Sequence, residues 1–326
     1  MMAPRRRVLW TRTRRPGNMA ACHAGMTRPG RKTIDAFAHM PLFEVLAPAE
    51  QRIPFVFNSP HSGRIYPNDF LAASRLDEMT IRRSEDSHVD ELFAFVTPFG
   101  APLLRANFPR AWLDVNREPY ELDPLMFDGA LPPYANSRSL RVAGGLGTIA
   151  RVVSENMEIY AEPLSVADAL QRIETVYKPY HERLRALLGA TFETFGFAVL
   201  IDCHSMPSSV RALPGRIRAD FVLGDRYGSS CASELSEAVH GFLTAEGYSV
   251  ARNKPYAGGF ITEHYGRPTR GIHALQIEIN RGLYMNERTL QKSAGFHKVA
   301  ADLARLVHHI STLPDAGLHP LPLAAE

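Results

Sequence analysis

The segment Phe197-Ala-Val-Leu-Ile-Asp-Cys-His204 limits the fold more than any other stretch of this chain. Its leading apolar residues follow one another without polar alternation, so both faces must be buried. That is the pattern of an interior strand in a largely parallel sheet covered by helices. The run stops on Asp202, Cys203 and His204. Carboxyl ends of strands in open α/β sheets border the ligand cleft, and these polar residues fall there.

Other segments extend the pattern. Pro54-Phe-Val-Phe-Asn-Ser-Pro-His-Ser-Gly63 predicts a short buried strand that stops at a polar loop. Residues 102–107, 112–116, 220–224, 248–251 and 273–280 are strand-like. Helical spacing covers 76–98, 165–195, 230–246 and 287–311. Residues 119–147 carry many Pro, Gly, Tyr and Ser residues and predict a long loop, a kind that is usually functional or mobile. Strands alternating with helices predict an α/β fold with a predominantly parallel sheet covered on both faces. With no internal repeat and no linker, residues 41–312 are expected to form one domain. Residues 313–326 are expected to form a C-terminal tail.

Charge is unevenly spread. The chain holds 37 Lys and Arg against 34 Asp and Glu, a formal net charge of +3. Nine of those cations lie within residues 1–34, which contain no acid; the remainder has 28 cations against 34 acids, a net of −6. The basic sign therefore belongs to a tail, residues 1–40, and the body is acidic. The tail fits a targeting peptide, a nucleic-acid or membrane-surface arm, or a dispensable leader preceding Met19, Met26 or Met40. Its lack of periodicity favours the last. No run of about 18 apolar residues exists, which excludes a transmembrane helix. Cys22, Cys203 and Cys231 are too few and scattered for a disulfide framework or a cysteine zinc cage, and a cytoplasmic location fits.

Candidate chemistry collects at the strand ends. His204 follows a buried strand with Asp202 two residues before it, and His61 sits in a similar loop. Two histidines, a carboxylate and an open position make a catalytic zinc site; each histidine alone is equally a hydrogen-bonded structural residue. Third-ligand candidates lie in Ser84-Glu-Asp-Ser-His-Val-Asp-Glu91, where spacing does not choose among Glu85, Asp86, His88 and Asp90. Glu278 interrupts the apolar strand Leu275-Gln-Ile-Glu-Ile279. Alternation puts Gln276, Glu278 and Asn280 on one face. Glu278 is either on the outer face of an edge strand or a general base. Arg110 and Arg117 flank Asp114 and Asn116, as a surface salt-bridge cluster or as an anion site. Cys203 reads as a small buried residue.

Taken in order, these segments resemble the N-formylglutamate amidohydrolase family. The matching pieces are Asn58-Ser-Pro-His-Ser-Gly63, Asp86-Ser-His-Val-Asp90 with Glu91-Leu-Phe93, Arg110 with Asp114-Val-Asn-Arg117, and Asp202-Cys-His-Ser205. Asn253-Lys-Pro-Tyr-Ala-Gly-Gly259 and Ala274-Leu-Gln-Ile-Glu-Ile-Asn-Arg-Gly-Leu-Tyr-Met-Asn-Glu287 complete the set. The resemblance implies a mixed, mostly parallel sheet distantly similar to zinc carboxypeptidases and aspartoacylases. It implies one Zn2+ held by His61, Asp86 and His204, with Asp86 chosen over His88 and Asp90. Glu278 would be the general base and Arg110 the oxyanion arginine, while Asn116 and Arg117 would hold the substrate carboxylate. The reaction implied is hydrolysis of N-formyl-L-glutamate to formate and L-glutamate, a step of histidine degradation. One departure is Arg64, which stands where carboxypeptidases place a glutamate three residues after the first histidine.

Two other readings remain at this level. The same apparatus could remove another acyl group from an amino acid or cleave a short peptide. Alternatively, an inactive scaffold could bind nucleic acid or a protein through the basic tail. The intact set His61, Asp86, His204 and Glu278 argues against the second. The expected partner is therefore a small amino-acid derivative, with neither membrane nor nucleic acid, and the oligomeric state stays open.

Overall fold

Strand Ala198–Met206 (β4) is buried along its whole length, as an uninterrupted apolar run requires. A computed structural model describes residues 41–154, 157–209, 218–315 and 317–321 of the protein, so the basic tail lies outside the described residues. Around β4 stand Phe43–Leu46 (β1), Phe55–Ser59 (β2), Leu103–Ala106 (β3), Phe221–Gly224 (β5), Val250–Arg252 (β6) and Ile272–Asn280 (β7). They form one seven-stranded sheet in the order β1-β3-β2-β4-β7-β5-β6. The four central strands β3, β2, β4 and β7 are mutually parallel. β1 runs antiparallel to β3, and β5 antiparallel to β7 with β6 parallel to β5. The sheet is thus mixed and mostly parallel.

Alternation along the strands divides the core in two. Phe55, Phe57, Val199, Ile201, Leu275 and Ile277 pack on one side with helices Ser233–Ala245 and Gly295–Ser311. Val56, Leu104, Leu200 and Ala274 pack on the other with Val176, Tyr180 and Leu184. The expected helix at 165–195 comprises Val166–Arg172, a π turn at Ile173–Tyr177 and Lys178–Phe195. No described helix is long and apolar enough to cross a membrane.

Several local expectations differ from the structure. Residues 76–98 do not form one helix but short turns at Glu78–Ile81, Arg82–Ser84, Val89–Leu92 and Val96–Phe99. The chain leaves helical geometry at Glu85, whose ψ is 144°, and again at His88, whose φ of 65° is left-handed. Trp112–Asn116 is not a strand. Trp112 N–H turns back to Pro109 O, and Asp114 accepts the N–H of Asn116, a side-chain-capped turn. The last helix starts at Gly295, after a two-stranded hairpin of Met285–Asn286 and Gln291–Lys292. Part of the expected C-terminal tail packs on the sheet: Leu318 is buried and its carbonyl meets His273 Nε2 at 2.9 Å.

Candidate active site

The parallel register between β4 and β7 pairs Asp202 with Gln276 and His204 with Glu278. On this face the apolar residues Ala198, Leu200 and Ala274 lie towards the strands' amino ends, and polar residues take over at the carboxyl ends. β2 adds Asn58, paired with Asp202, and Asn58 Nδ2 donates to Asp202 Oδ1 at 2.7 Å. Beyond this edge lies a cleft of about 460 Å³ lined by His61, His204, Glu278, Arg110, Arg117 and Arg281, among others. β7 is flanked on both sides, so the edge-strand reading of Glu278 fails.

His61 reaches the cleft from the loop after β2. Its neighbour Gly63 lies against the chain at Phe108, where a Cβ would fall 2.0 Å from the carbonyl oxygen. Asp86 N–H donates to His61 O at 3.0 Å, which ties the second loop to the first. His61, Asp86 and His204 come together with potential ligand atoms within 4.8 Å of one another, all buried. Asp86 Oδ2 lies 2.9 Å from His204 Nδ1 and 3.4 Å from His61 Nδ1. The alternatives point elsewhere: His88 meets Glu91 and the Leu290 carbonyl, Asp90 meets Arg64 and Arg105, and Glu85 meets Arg82. Arg64 thus faces Asp90 and Glu91 rather than the cleft.

The outer nitrogens are also carboxylate-bound. His61 Nε2 lies 2.7 Å from Asp114 and His204 Nε2 3.0 Å from Asp202. Ligating histidines ordinarily give their other N–H to such a group, which fixes the ring and raises its basicity. Both imidazoles therefore turn Nδ1 towards Asp86, and His61 Nδ1 is buried without a hydrogen-bond partner. A buried orphan nitrogen, a second imidazole and a carboxylate form a group able to hold a metal ion. The electrostatics agree. Burial alone would lift Asp86, yet the two imidazoles hold it well below the usual carboxylate range. Burial would depress His204, yet Asp202 and Asp86 raise it far above an ordinary imidazole. Carboxylates so arranged favour positive charge between them.

Glu278 behaves differently. Burial, reinforced by Asp86 and opposed by His204 and Arg110, pushes its pKa up to about 7. Gln276 Nε2 donates to Glu278 Oε1 at 2.9 Å and its own oxygen accepts Gly259 N–H at 2.7 Å, which links the carboxylate to the Gly259 loop. Arg110 donates to Asp114 at 2.8 Å, and Arg117 lies 3.7 Å from the same carboxylate. Asp114 is only 3% exposed, so this is a buried cluster, not a surface one. Asn116 lines the cleft, but its Oδ1 accepts Ile261 N–H at 2.8 Å and its amide nitrogen lies 3.1 Å from His204 Nε2. Gly259 allows that contact, since a Cβ there would fall 2.4 Å from the Asn116 amide. Cys203 is on the opposite strand face, fully buried, and burial pushes its thiol well up.

Sequence reasoning missed Arg281, which donates to Asp86 at 3.1 Å and Ser205 at 3.1 Å. It also missed Asp114 as the partner of His61. Gln276 was visible only as a face-mate of Glu278.

An α/β amidohydrolase is the class that this sheet and cleft define, and known proteins agree. The chain belongs to the N-formylglutamate amidohydrolase family, whose model matches residues 53–285. It is 31% identical over 247 residues to an N-formylglutamate deformylase of Pseudomonas putida, covering 75% of this chain and 86% of the relative. It is 31% identical over 250 residues to an N-formylglutamate deformylase of Pseudomonas aeruginosa, covering 75% and 87%. The crystal structure of N-formylglutamate amidohydrolase from Ralstonia eutropha JMP134 superposes with a TM-score of 0.78 at 37% identity, covering 82% of this chain and 96% of that one.

Proposed function

We propose that the chain is a zinc-dependent cytoplasmic enzyme that hydrolyses N-formyl-L-glutamate to formate and L-glutamate. The observation that carries this reading is the buried His61–Asp86–His204 group directly beside Glu278 in one cleft. His61 and His204, each through Nδ1, and Asp86 would hold the ion. Zinc bound there supplies Lewis acidity towards a carbonyl oxygen and lowers the pKa of water.

The chain's own residues do the rest. Glu278, with a pKa near neutrality, can accept a proton from the attacking water and return it to the leaving nitrogen. Arg110 keeps its charge beside Asp114 and faces the cleft, where developing oxyanion charge would be stabilised. Arg117 takes the substrate carboxylate. Asn116 lies beside it in the cleft wall and braces His204. Asp114 and Asp202 keep both imidazoles oriented.

The test is metal analysis of the purified protein and of His204→Ala, with formate release from N-formyl-L-glutamate followed in both. Stoichiometric zinc and turnover are expected in the parent, and loss of both in the variant. A metal-free parent, or one that releases no formate, ends this reading. N-acetyl and formimidoyl amino acids in the same assay separate it from a deacylase of other specificity.

A further inference from the structure

Among the described residues, five arginines line the cleft, more positive charge than catalysis at a single amide needs. Four have carboxylate partners. Arg110 and Arg117 share Asp114 at 2.8 and 3.7 Å, Arg141 lies 3.7 Å from Glu121, and Arg281 lies 3.1 Å from Asp86. Arg83 is the exception: among the described residues its guanidinium has no ion pair and no hydrogen bond. Its neighbour Arg82 is engaged with Glu85 at 2.8 Å.

The positions of these charges differ as well. Arg117 is deep, and burial together with Arg110 and Arg141 pulls its pKa down despite Asp114. Guanidiniums crowded in this way favour an arriving anion. Arg83 is exposed at the cleft mouth, yet tied to the centre through its main chain. Arg281 donates to the Arg83 carbonyl at 2.9 Å while its other nitrogens hold Ser205 and Asp86. The cleft thus offers one excess guanidinium around Asp114 and a second, that of Arg83, among the residues that line it. Separated excess charges suit a dianion with two carboxylates.

We propose that Arg83 is a specificity-determining residue that binds the side-chain carboxylate of an acidic N-acyl amino acid. The inference rests on the reading that the substrate is an N-acylglutamate. The α-carboxylate lies near the scissile nitrogen and goes to Arg117, beside Asp114. The side-chain carboxylate lies further out and meets Arg83, whose planar fork matches a carboxylate.

The experiment compares the zinc-loaded parent with Arg83→Gln and Arg83→Lys. Substrates are N-formyl-L-glutamate and its neutral isostere N-formyl-L-glutamine; calorimetric binding of L-glutamate and L-glutamine runs in parallel. In Arg83→Gln the preference for acid over amide should fall about 10- to 100-fold, through KM rather than kcat. L-Glutamate affinity should fall at least about tenfold relative to L-glutamine, with partial rescue in Arg83→Lys. An unchanged preference, or equal losses on acid and amide, overturns the assignment. If the parent releases no formate, the formyl reading fails, but the calorimetric comparison still decides Arg83: selective loss of L-glutamate supports it and equal affinities overturn it.

Discussion

On one face of β4 and β7, Val199, Ile201, Cys203, Leu275, Ile277 and Ile279 lie in a single apolar core. On the other, Ala198, Leu200 and Ala274 give way to Asp202, His204, Gln276 and Glu278 within the same two strands. The backbone and its register are common to both, so the difference is one of side-chain parity alone. An apolar face is satisfied by packing and is indifferent to which end of the strand it occupies. A polar face is stable only where every group finds a partner, and here Asp202 meets Asn58 and His204, His204 also meets Asp86, and Glu278 meets Gln276. Stability and chemistry are thus carried by alternate residues of one pair of strands.

Two substitutions one residue apart can break that division. Glu278→Gln, on the polar face, should lower kcat/KM by about 10²- to 10⁴-fold, the usual weight of a general acid–base group. Metal content should be unchanged, because Glu278 lies outside the His61–Asp86–His204 group. Formate release and metal analysis on one preparation read both, and near-normal turnover removes Glu278 from catalysis. Ile277→Ala, on the apolar face, leaves a cavity where the parent side chain is 1% exposed. It should cost about 2–5 kcal/mol in urea unfolding, with kcat/KM of the folded enzyme within a few-fold of the parent. A large kinetic loss at unchanged stability would show that the faces are not separable.

The same parity explains what could be read in the sequence. The buried run 197–201 and its polar end placed β4, Asp202 and His204, because periodicity is a local property. Glu278 was conspicuous because a carboxylate in an apolar strand needs a reason. Segments between strands were less legible. Asp86 enters the site where the chain turns extended at Glu85 and Asp86 N–H docks on the His61 carbonyl, which nothing in the spacing of 76–98 requires. Residues 112–116 have strand-like composition, yet Asp114 is pulled out of any ladder by His61, Arg110 and the N–H of Asn116. Arg281 lies within the matching segment 274–287, but no spacing singles it out, since its partners Ser205 and Asp86 are distant in sequence. Spacing could not choose among Glu85, Asp86, His88 and Asp90; the resemblance did, and the tertiary contacts place Asp86 beside both histidines.

Another buried histidine, His181, sharpens the contrast between charged and neutral partners. His204 is raised by two carboxylates, whereas His181, on the helix Lys178–Phe195, has only the Val115 carbonyl at 2.9 Å and the Tyr265 hydroxyl at 2.9 Å. Tyr177 stacks on it and donates to the Arg117 carbonyl at 2.6 Å, so the helix holds the site loop at two carbonyls. Burial, with His264 and Arg185 nearby and only partly offset by the Val115 carbonyl, pushes His181 down to about 4. The unfolded chain has a histidine pKa of about 6.5. Between those values the unfolded state binds the proton and the folded state does not, so stability rises with pH across that window and is lost as pH falls through it. The loss from this group should approach about 3 kcal/mol by pH 4. His181→Gln, which keeps a donor for Val115, should remove that part of the acid sensitivity while costing some stability at pH 7. Urea midpoints at pH 7 and 4.5 for both proteins read the difference. An unchanged acid loss in the variant would place the sensitivity elsewhere, in the carboxylates that hold His61 and His204.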